Sequence, residues 1–453
     1  MAKKVDTTSG NLVKLIFVFT VPIILSTILQ SLFSIADKVV LGNMAGPVAV
    51  ASIGATGTIS GLIIHGAVGL STGTAIILAR YVGQKNIEKI KQTIDTSLLT
   101  SVLLGALVGF IGVCLAPFFL NATNCPEECY NGALIYMRIY LAASPATLLF
   151  NYGSAILRSL GDTKRPLVYI TIAGIINLVL NIVLCIILPE KVMAVAIATV
   201  ASKAVSAILV LRRILYFDAE LGLRLTRMRF NFEAFVSILR FGIPSSISNL
   251  MYPLANLQIV TAINSFGVDA VAGHSAGDSI HTISSAFSGG FGTATTTFLG
   301  QNIGAKKPER VKKAFWYMLG FSVLISGSLG VILYLTGEFW LGLILGTSST
   351  AAIEYGMERL FFVTLFTAIA AINGVLSHAF QAFGYPLFTS VSNITFTLVF
   401  RIIWMQLIYP QNPTFTMVMS CFTVSWSLNM IFYAIVFTFI FRRYIKKGIC
   451  KKI

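Results

Sequence analysis

An aspartate set in an apolar run is the first residue with chemistry to offer. Residues 13–54 read VKLIFVFTVPIILSTILQSLFSIADKVVLGNMAGPVAVASIG, and Asp37 follows Pro22 by fifteen positions. A carboxylate inside a hydrocarbon-length helix costs about 2.5–3.5 kcal/mol at the bilayer centre. Such residues usually face a cavity and handle protons, ions or substrate; the alternative is a residue that closes the helix at the water interface. A second group lies in HSAGDSIH, where His274, Asp278 and His281 share one helical face. It reads as a second proton or cation site, because imidazole titrates near neutrality, as a hydrogen-bonded packing cluster, or, on ligand type alone, as a zinc site. Cys125 and Cys129 in the polar CPEEC loop suit a short disulfide if that loop is extracytoplasmic, and suit a metal less well because no His or second Cys pair accompanies them. The polar loops carry no Ser/His/Asp triad, paired acids or metal motif, so an enzyme is not expected.

The elements that must position these residues are membrane helices. Of 453 residues, 56% are hydrophobic and 11% charged, and apolar runs of spanning length recur from end to end. Twelve spans are expected, near 13–40, 47–79, 93–120, 131–157, 166–188, 192–215, 234–264, 268–299, 311–335, 353–382, 387–409 and 414–441. The first is read as uncleaved, being too long for a signal peptide's apolar core. The net charge of +16 is explained by its placement. Lys and Arg gather before span 1, between spans 2 and 3, 4 and 5, and 6 and 7, after span 8 and at the chain end, while NATNCPEEC, LPE, FGVD, TGEFW and YPQNPT are almost free of them. With twelve spans every basic group lies on one side, which predicts a multi-pass protein of the cell membrane with both termini cytoplasmic. Nucleic acid is not expected as a partner; the bilayer is.

The chain also repeats itself. At an offset near 221, FTVP (19–22) answers FGIP (241–244), AGPVAVA (45–51) answers FGVDAVA (266–272), ARYVGQKNIEKIKQ (79–92) answers GQNIGAKKPERVKK (300–313), Arg138 answers Arg359, and ILRSLGDTKRP (156–166) answers AFQAFGYP (379–386). Six spans per half give both halves the same topology, hence parallel repeats about a pseudo-two-fold axis along the membrane normal. The expected division is an N-lobe over 1–216, a cytoplasmic linker over 217–233 and a C-lobe over 234–453. Lys203 and Arg401 are expected to snorkel, with an ion pair to Asp37 as the alternative for Lys203. Arg138 and Arg359, near the outer ends of spans 4 and 10, are expected to cap loops.

Pro22 and Asp37, Gly42 and Gly46, Gly83 and Gly304, the turn 157–166, and Asn177 with Asn181 together resemble the multidrug and toxic compound extrusion family, in a prokaryotic branch, over essentially the whole chain. The resemblance implies an all-α fold of two six-helix lobes forming a V around a central cavity. It implies export of amphipathic, mostly cationic organic compounds by alternating access, coupled to H+ or Na+, with no cofactor beyond that ion and with the chain acting as a monomer. By matching, the coupling cation would sit at Asp37, Asn177, Asn181 and Thr199, with Pro22 letting the first helix bend. Many such members have Asp where this chain has Asn181, which leaves Asp37 as the one carboxylate of the set; Na+ at these oxygens is the sole metal expected. A lipid-linked oligosaccharide or lipid flippase of the same superfamily is the alternative, weakened by the few basic residues at mid-membrane.

Overall fold

The computed structural model describes residues 5–123, 125–216, 223–346 and 350–447. The start of the expected linker, 217–222, and the outermost lysines of both termini lie outside the described residues. Among those described there are helices and no strand, as hydrocarbon demands of a chain that must satisfy its own backbone. The helices are α1 (Leu12–Ala45), α2 (Pro47–Gln84), α3 (Ile87–Ala122), α4 (Glu127–Ala142), α5 (Ser144–Ser159), α6 (Lys164–Ile187), α7 (Lys191–Leu215), α8 (Phe232–Asn264), α9 (Val268–Gly304), α10 (Pro308–Leu335), α11 (Gly337–Leu345), α12 (Thr350–Arg359), α13 (Thr367–Ala382), α14 (Pro386–Asn393), α15 (Phe400–Ile403) and α16 (Phe415–Lys447).

Twelve passages account for all but α11. Nine described segments are long and apolar enough to cross alone, and the α4–α5 pair makes ten. The others are α8 and α9, 33 and 37 residues long, whose polar residues lower their hydropathy. Span 4 is bent by 47° between α4 and α5, because Pro145 offers no N–H to continue the ladder. Span 10 is interrupted by π-helix over Leu360–Leu365, and span 11 by π-helix over Ile394–Val399 and Trp404–Ile408. The expected TGEFW loop is instead helix α11, too short to cross at nine residues.

The repeat is written into the backbone. Of the eight described residues with left-handed φ, six fall into repeat-equivalent pairs: Gly46 and Gly267 (φ 80° and 92°), Lys85 and Lys306 (57° and 55°), Gly161 and Gly384 (91° and 90°). The pairs share their hydrogen bonds as well. Asn86 N donates to Tyr81 O and Lys307 N to Asn302 O; Asp162 N donates to Leu157 O and Tyr385 N to Phe380 O. These are Schellman closures that satisfy the last carbonyls of α2, α9, α5 and α13. Prolines at the start of α2, α10 and α14, and the Asn86 side chain accepting from Lys89 N (3.1 Å), open the helices that follow.

The chain forms two compact units: Met1–Asp6 with Val21–Ser246, and Thr7–Thr20 with Ile247–Ile453. Each leading helix therefore changes unit close to a repeat-equivalent proline, Pro22 in α1 and Pro244 in α8. In the first unit, α2 receives the start of α8 so closely that a Cβ at Gly73 would lie 2.3 Å from Ile238 O. In the second, Phe19 of α1 meets Phe298 of α9 edge-on at 5.3 Å. There the Arg310 guanidinium also donates to the carbonyls of Thr7, Ser9 and Gly10 (2.9, 2.6 and 2.9 Å).

The αL turns predict stability effects of opposite sign. Gly161→Ala is expected to lower the unfolding midpoint in detergent, costing about 1–2 kcal/mol for the left-handed backbone alone, with a further clash because the new Cβ would stand 2.4 Å from Val5 O. Lys306→Gly, which relieves the same backbone strain, is expected to leave the midpoint unchanged or raise it. Wild-type stability in Gly161→Ala would show that this turn is not held as described.

Candidate functional site

Asp37 lies near the C-terminal end of α1, and α6 brings it its partner. Asn177 and Asn181 stand four residues apart on one buried face of α6. Asn181 Nδ2 donates to Asp37 Oδ1 at 2.5 Å and, more weakly, to Asn177 Oδ1 at 3.4 Å. The close approach has a local cause. A Cβ at Gly174 would stand 1.9 Å from the Phe33 ring, so only glycine lets α1 lie against α6 one turn below Asp37. The contacts Phe33–Gly174 and Asp37–Asn181 fall in the same order along both helices. Helices α1 and α6 therefore run the same way, as spans 1 and 5 of a twelve-span chain must.

Three of the four expected cation-site residues are thus joined, and Thr199 is not. Its hydroxyl donates to Val195 O of its own helix at 2.9 Å, the usual outlet for a buried threonine in α-helix. Two neighbours escaped the sequence reading. Tyr136 and Tyr140, stacked at 5.7 Å on α4, stand beside the cluster, and Tyr136 is near enough to feel the Asp37 charge. Lys203 interacts electrostatically with Asp37, yet it neither snorkels nor pairs with it: its ammonium lies 3.6 Å from the Tyr140 ring centroid, a cation–π contact. The pair of tyrosines four residues apart in YMRIY was the signal available for this.

Asn181 Oδ1 is buried without a hydrogen-bond partner. An orphaned amide oxygen beside a carboxylate is a vacant acceptor. Asp37, Asn177 and Asn181 together offer only oxygens to a hard monovalent cation, so the donor set fits Na+ in kind, and the Asp37 carboxylate alone fits a proton.

The second polar group is organised differently. Arg359 does not cap a loop: it is 1% exposed, it pairs with Asp278, and its Nη1 lies 2.9 Å from His274 Nδ1. Its repeat counterpart Arg138 is exposed. Gly277 makes the room, since a Cβ there would lie 2.9 Å from Arg359 Cδ. His281 interacts electrostatically with Arg359 and Asp278, and its ring is buried against Trp426, near-parallel with centroids 6.1 Å apart. Asp278 thus already has a cation. Among the described residues no group of three or more His, Cys, Asp and Glu is placed to hold a metal, so the zinc reading finds no ligand set. Arg401 does not snorkel either, being 1% exposed. Cys125 and Cys129 carry free thiols.

The MatE family model matches this chain twice, over residues 22–183 and 244–405, one match per repeat and each starting on the proline near which the leading helix changes unit. The chain is 26% identical over 387 residues to the probable multidrug resistance protein YoeA of Bacillus subtilis (strain 168), covering 83% of this chain and 82% of that one. It is 29% identical over 305 residues to an FAD transporter of Shewanella oneidensis, covering 64% and 65%. Its fold matches the outward-facing structure of a multidrug resistance MATE family transporter of the MOP superfamily, with TM-score 0.87 at 23% identity over the whole of both chains. With the family model spanning most of both repeats, the chain belongs to the MatE family and is a multi-pass membrane transporter.

Proposed function

We propose that this transporter exports amphipathic, mostly cationic organic compounds by alternating access, driven by H+ or Na+ bound at Asp37. The observation that carries the reading is the contrast between Asp37 and Asp278. Asp37 is held by a neutral amide and can accept a cation; Asp278 is committed to Arg359. Relatives named as multidrug resistance proteins favour drug-like cargo; the FAD transporter shows that cargo among the relatives is not confined to drugs. Cell-membrane residence with both termini in the cytoplasm follows from the basic-loop asymmetry. The partners are the substrate and the bilayer, the chain acts as a monomer, and no cofactor is required beyond the coupling ion.

The chemistry needs one rotation. With Asp37 ionised, the Asn181 amide donates to it. When a proton neutralises Asp37, the acid becomes a donor and the unpartnered Asn181 Oδ1 becomes its acceptor. With Na+, the same oxygen turns toward the ion. Either event changes what α6 offers α1, and transport follows if the cation binds one conformation more tightly than the other.

Three measurements test this. In liposomes with imposed Na+ or H+ gradients, Asp37→Asn is expected to abolish gradient-driven dye efflux. Asp278→Asn is expected to lower stability by leaving Arg359 buried and unpaired, while folded protein keeps its gradient dependence. If Asp278→Asn loses coupling and Asp37→Asn keeps it, the ion enters at the other cluster. Asn181→Asp adds a second formal charge to the set and is expected to tighten Na+ binding about tenfold, or roughly 1.4 kcal/mol, read by titration of purified protein; unchanged affinity would remove Asn181 from the site. Topology is read at Cys125. Burial and the neighbouring Cys129 push its thiol up, so an impermeant maleimide added outside cells should label it slowly at neutral pH and faster as pH rises. Labelling from the cytoplasmic side alone would invert the proposed orientation.

A further inference from the structure

The second repeat contains the counterpart of the Asp37 cluster, and its charge is inverted. Aligned on Pro166 and Pro386, Asn181 of α6 corresponds to Arg401 of α15; aligned on Pro22 and Pro244, Lys203 of α7 corresponds to Ser425 of α16, and Asp37 of α1 falls within three residues of Asn256 of α8. Arg401, Ser425 and this nearby Asn256 meet in space. Arg401 Nε donates to Ser425 Oγ at 3.1 Å and Nη1 to Asn256 Oδ1 at 3.1 Å. Where the first repeat joins a carboxylate to an amide, the second joins an amide to a guanidinium.

Arg401 lacks the partner its charge requires. It is 1% exposed, its Nη2 is buried with no hydrogen bond, and among the described residues no Asp or Glu lies within ion-pair distance of it. The ionisable groups that face it are Tyr252 and Cys421, and neither is a carboxylate. Its remaining neighbours are rings, Phe422 at 4.5 Å and Tyr252 at 5.4 Å from Cζ to centroid. A buried guanidinium that is neither paired nor fully hydrogen-bonded is costly, and Arg359 shows that this unit can supply a carboxylate where one is wanted. The surroundings are also built to adjust. Arg401 sits on a four-residue α-helical stretch between two π-helical segments, a geometry that recurs at functional sites, and Asn256 and Tyr252 are half-buried, so the rim of the group reaches the surface of the unit.

We propose that Arg401, with Asn256 and Ser425, is an anion subsite that takes the carboxylate or phosphate of an amphipathic substrate between the Tyr252 and Phe422 rings. The guanidinium fork suits either group bidentately, and the rings suit the apolar part beside it. The proposal rests on the reading of the chain as an exporter of amphipathic compounds, and extends its cargo from cations to zwitterions and anions.

The test uses two dyes of one scaffold and opposite charge, fluorescein and rhodamine 6G, with anisotropy read on purified full-length protein in detergent. Wild type is expected to bind fluorescein saturably; Arg401→Gln to weaken it at least about tenfold and leave rhodamine 6G unchanged; Arg401→Lys, which keeps charge and loses the fork, to fall between. Asn256→Asp supplies the missing carboxylate from within, so it is expected to raise the unfolding midpoint and abolish fluorescein binding. Absence of saturable fluorescein binding to wild type overturns the proposal whatever the variants do, as does wild-type affinity in folded Arg401→Gln or Asn256→Asp. If inorganic phosphate or chloride raises the wild-type midpoint through Arg401 while fluorescein fails to saturate, the site holds a free ion and the substrate assignment falls. Asp37-dependent efflux of rhodamine 6G, run in parallel, reports on the exporter reading separately: intact efflux without fluorescein binding overturns this subsite alone.

Discussion

A carboxylate in hydrocarbon must be held by something, and the hydrogen bond from Asn181 to Asp37 is the interaction around which the first unit is arranged. It requires α1 and α6 to touch, which Gly174 permits by leaving the Phe33 ring somewhere to lie. It requires the amide to be buried, which places Asn181 on the packed face of α6 with Asn177 one turn away. It also requires that no stronger partner capture the acid. Lys203 is close enough to act on Asp37, yet its ammonium is occupied by the Tyr140 ring. A full ion pair would stabilise the ionised acid and compete with the proposed coupling cation; an amide donor and a π-held ammonium leave the carboxylate available.

The two repeats keep one scaffold and spend it on different charges. Backbone features that cost strain are duplicated, down to a lysine in left-handed conformation at equivalent turns. Side chains within the spans are not. Arg138 is exposed where Arg359 is buried on Asp278, and Asn181 is replaced by Arg401. Turn geometry is set by chain entry and exit and must be the same in both halves for the topology to repeat. Nothing in the topology asks the halves to agree on charge inside the membrane.

That difference also explains what was legible in the sequence. Span number and repeat register were readable because apolar length and Gly/Pro turns are local signals imposed by the bilayer and the backbone. The bond between Asp37 and Asn181 was reachable through family resemblance, because resemblance carries contacts between distant spans. Arg359 was misread for want of such a signal. Sequence position put it near a helix end, whereas its burial depends on Gly277 of a helix some eighty residues away. The Thr199 hydroxyl bonds its own backbone at Val195 O, an outlet open to any threonine in a helix, so residue type alone does not reveal its partner. Helix α11 was missed because GEFWLGLIL is too short to register as a span, though apolar enough to fold as a helix.

Helix α1 has its two ends anchored in different units, and this determines where a change at Asp37 can be felt. Toward the start, Arg310 holds the carbonyls of Thr7, Ser9 and Gly10, and Phe19 packs on Phe298. Beyond Val21 the same helix is held by Gly174 and Asn181. Between these anchors lies Pro22, which cannot donate to the helical ladder, with Ser26 Oγ donating to the Pro22 carbonyl at 2.7 Å. A rigid helix pinned at both ends would resist any change in its contact with α6. A helix with a missing backbone bond between its anchors yields there first, since the hydroxyl of Ser26 can follow the Pro22 carbonyl as it tilts. If Asp37 is neutralised as proposed, the anchor beyond Val21 weakens while the one before it stays untouched, so the response is directed to the proline between them.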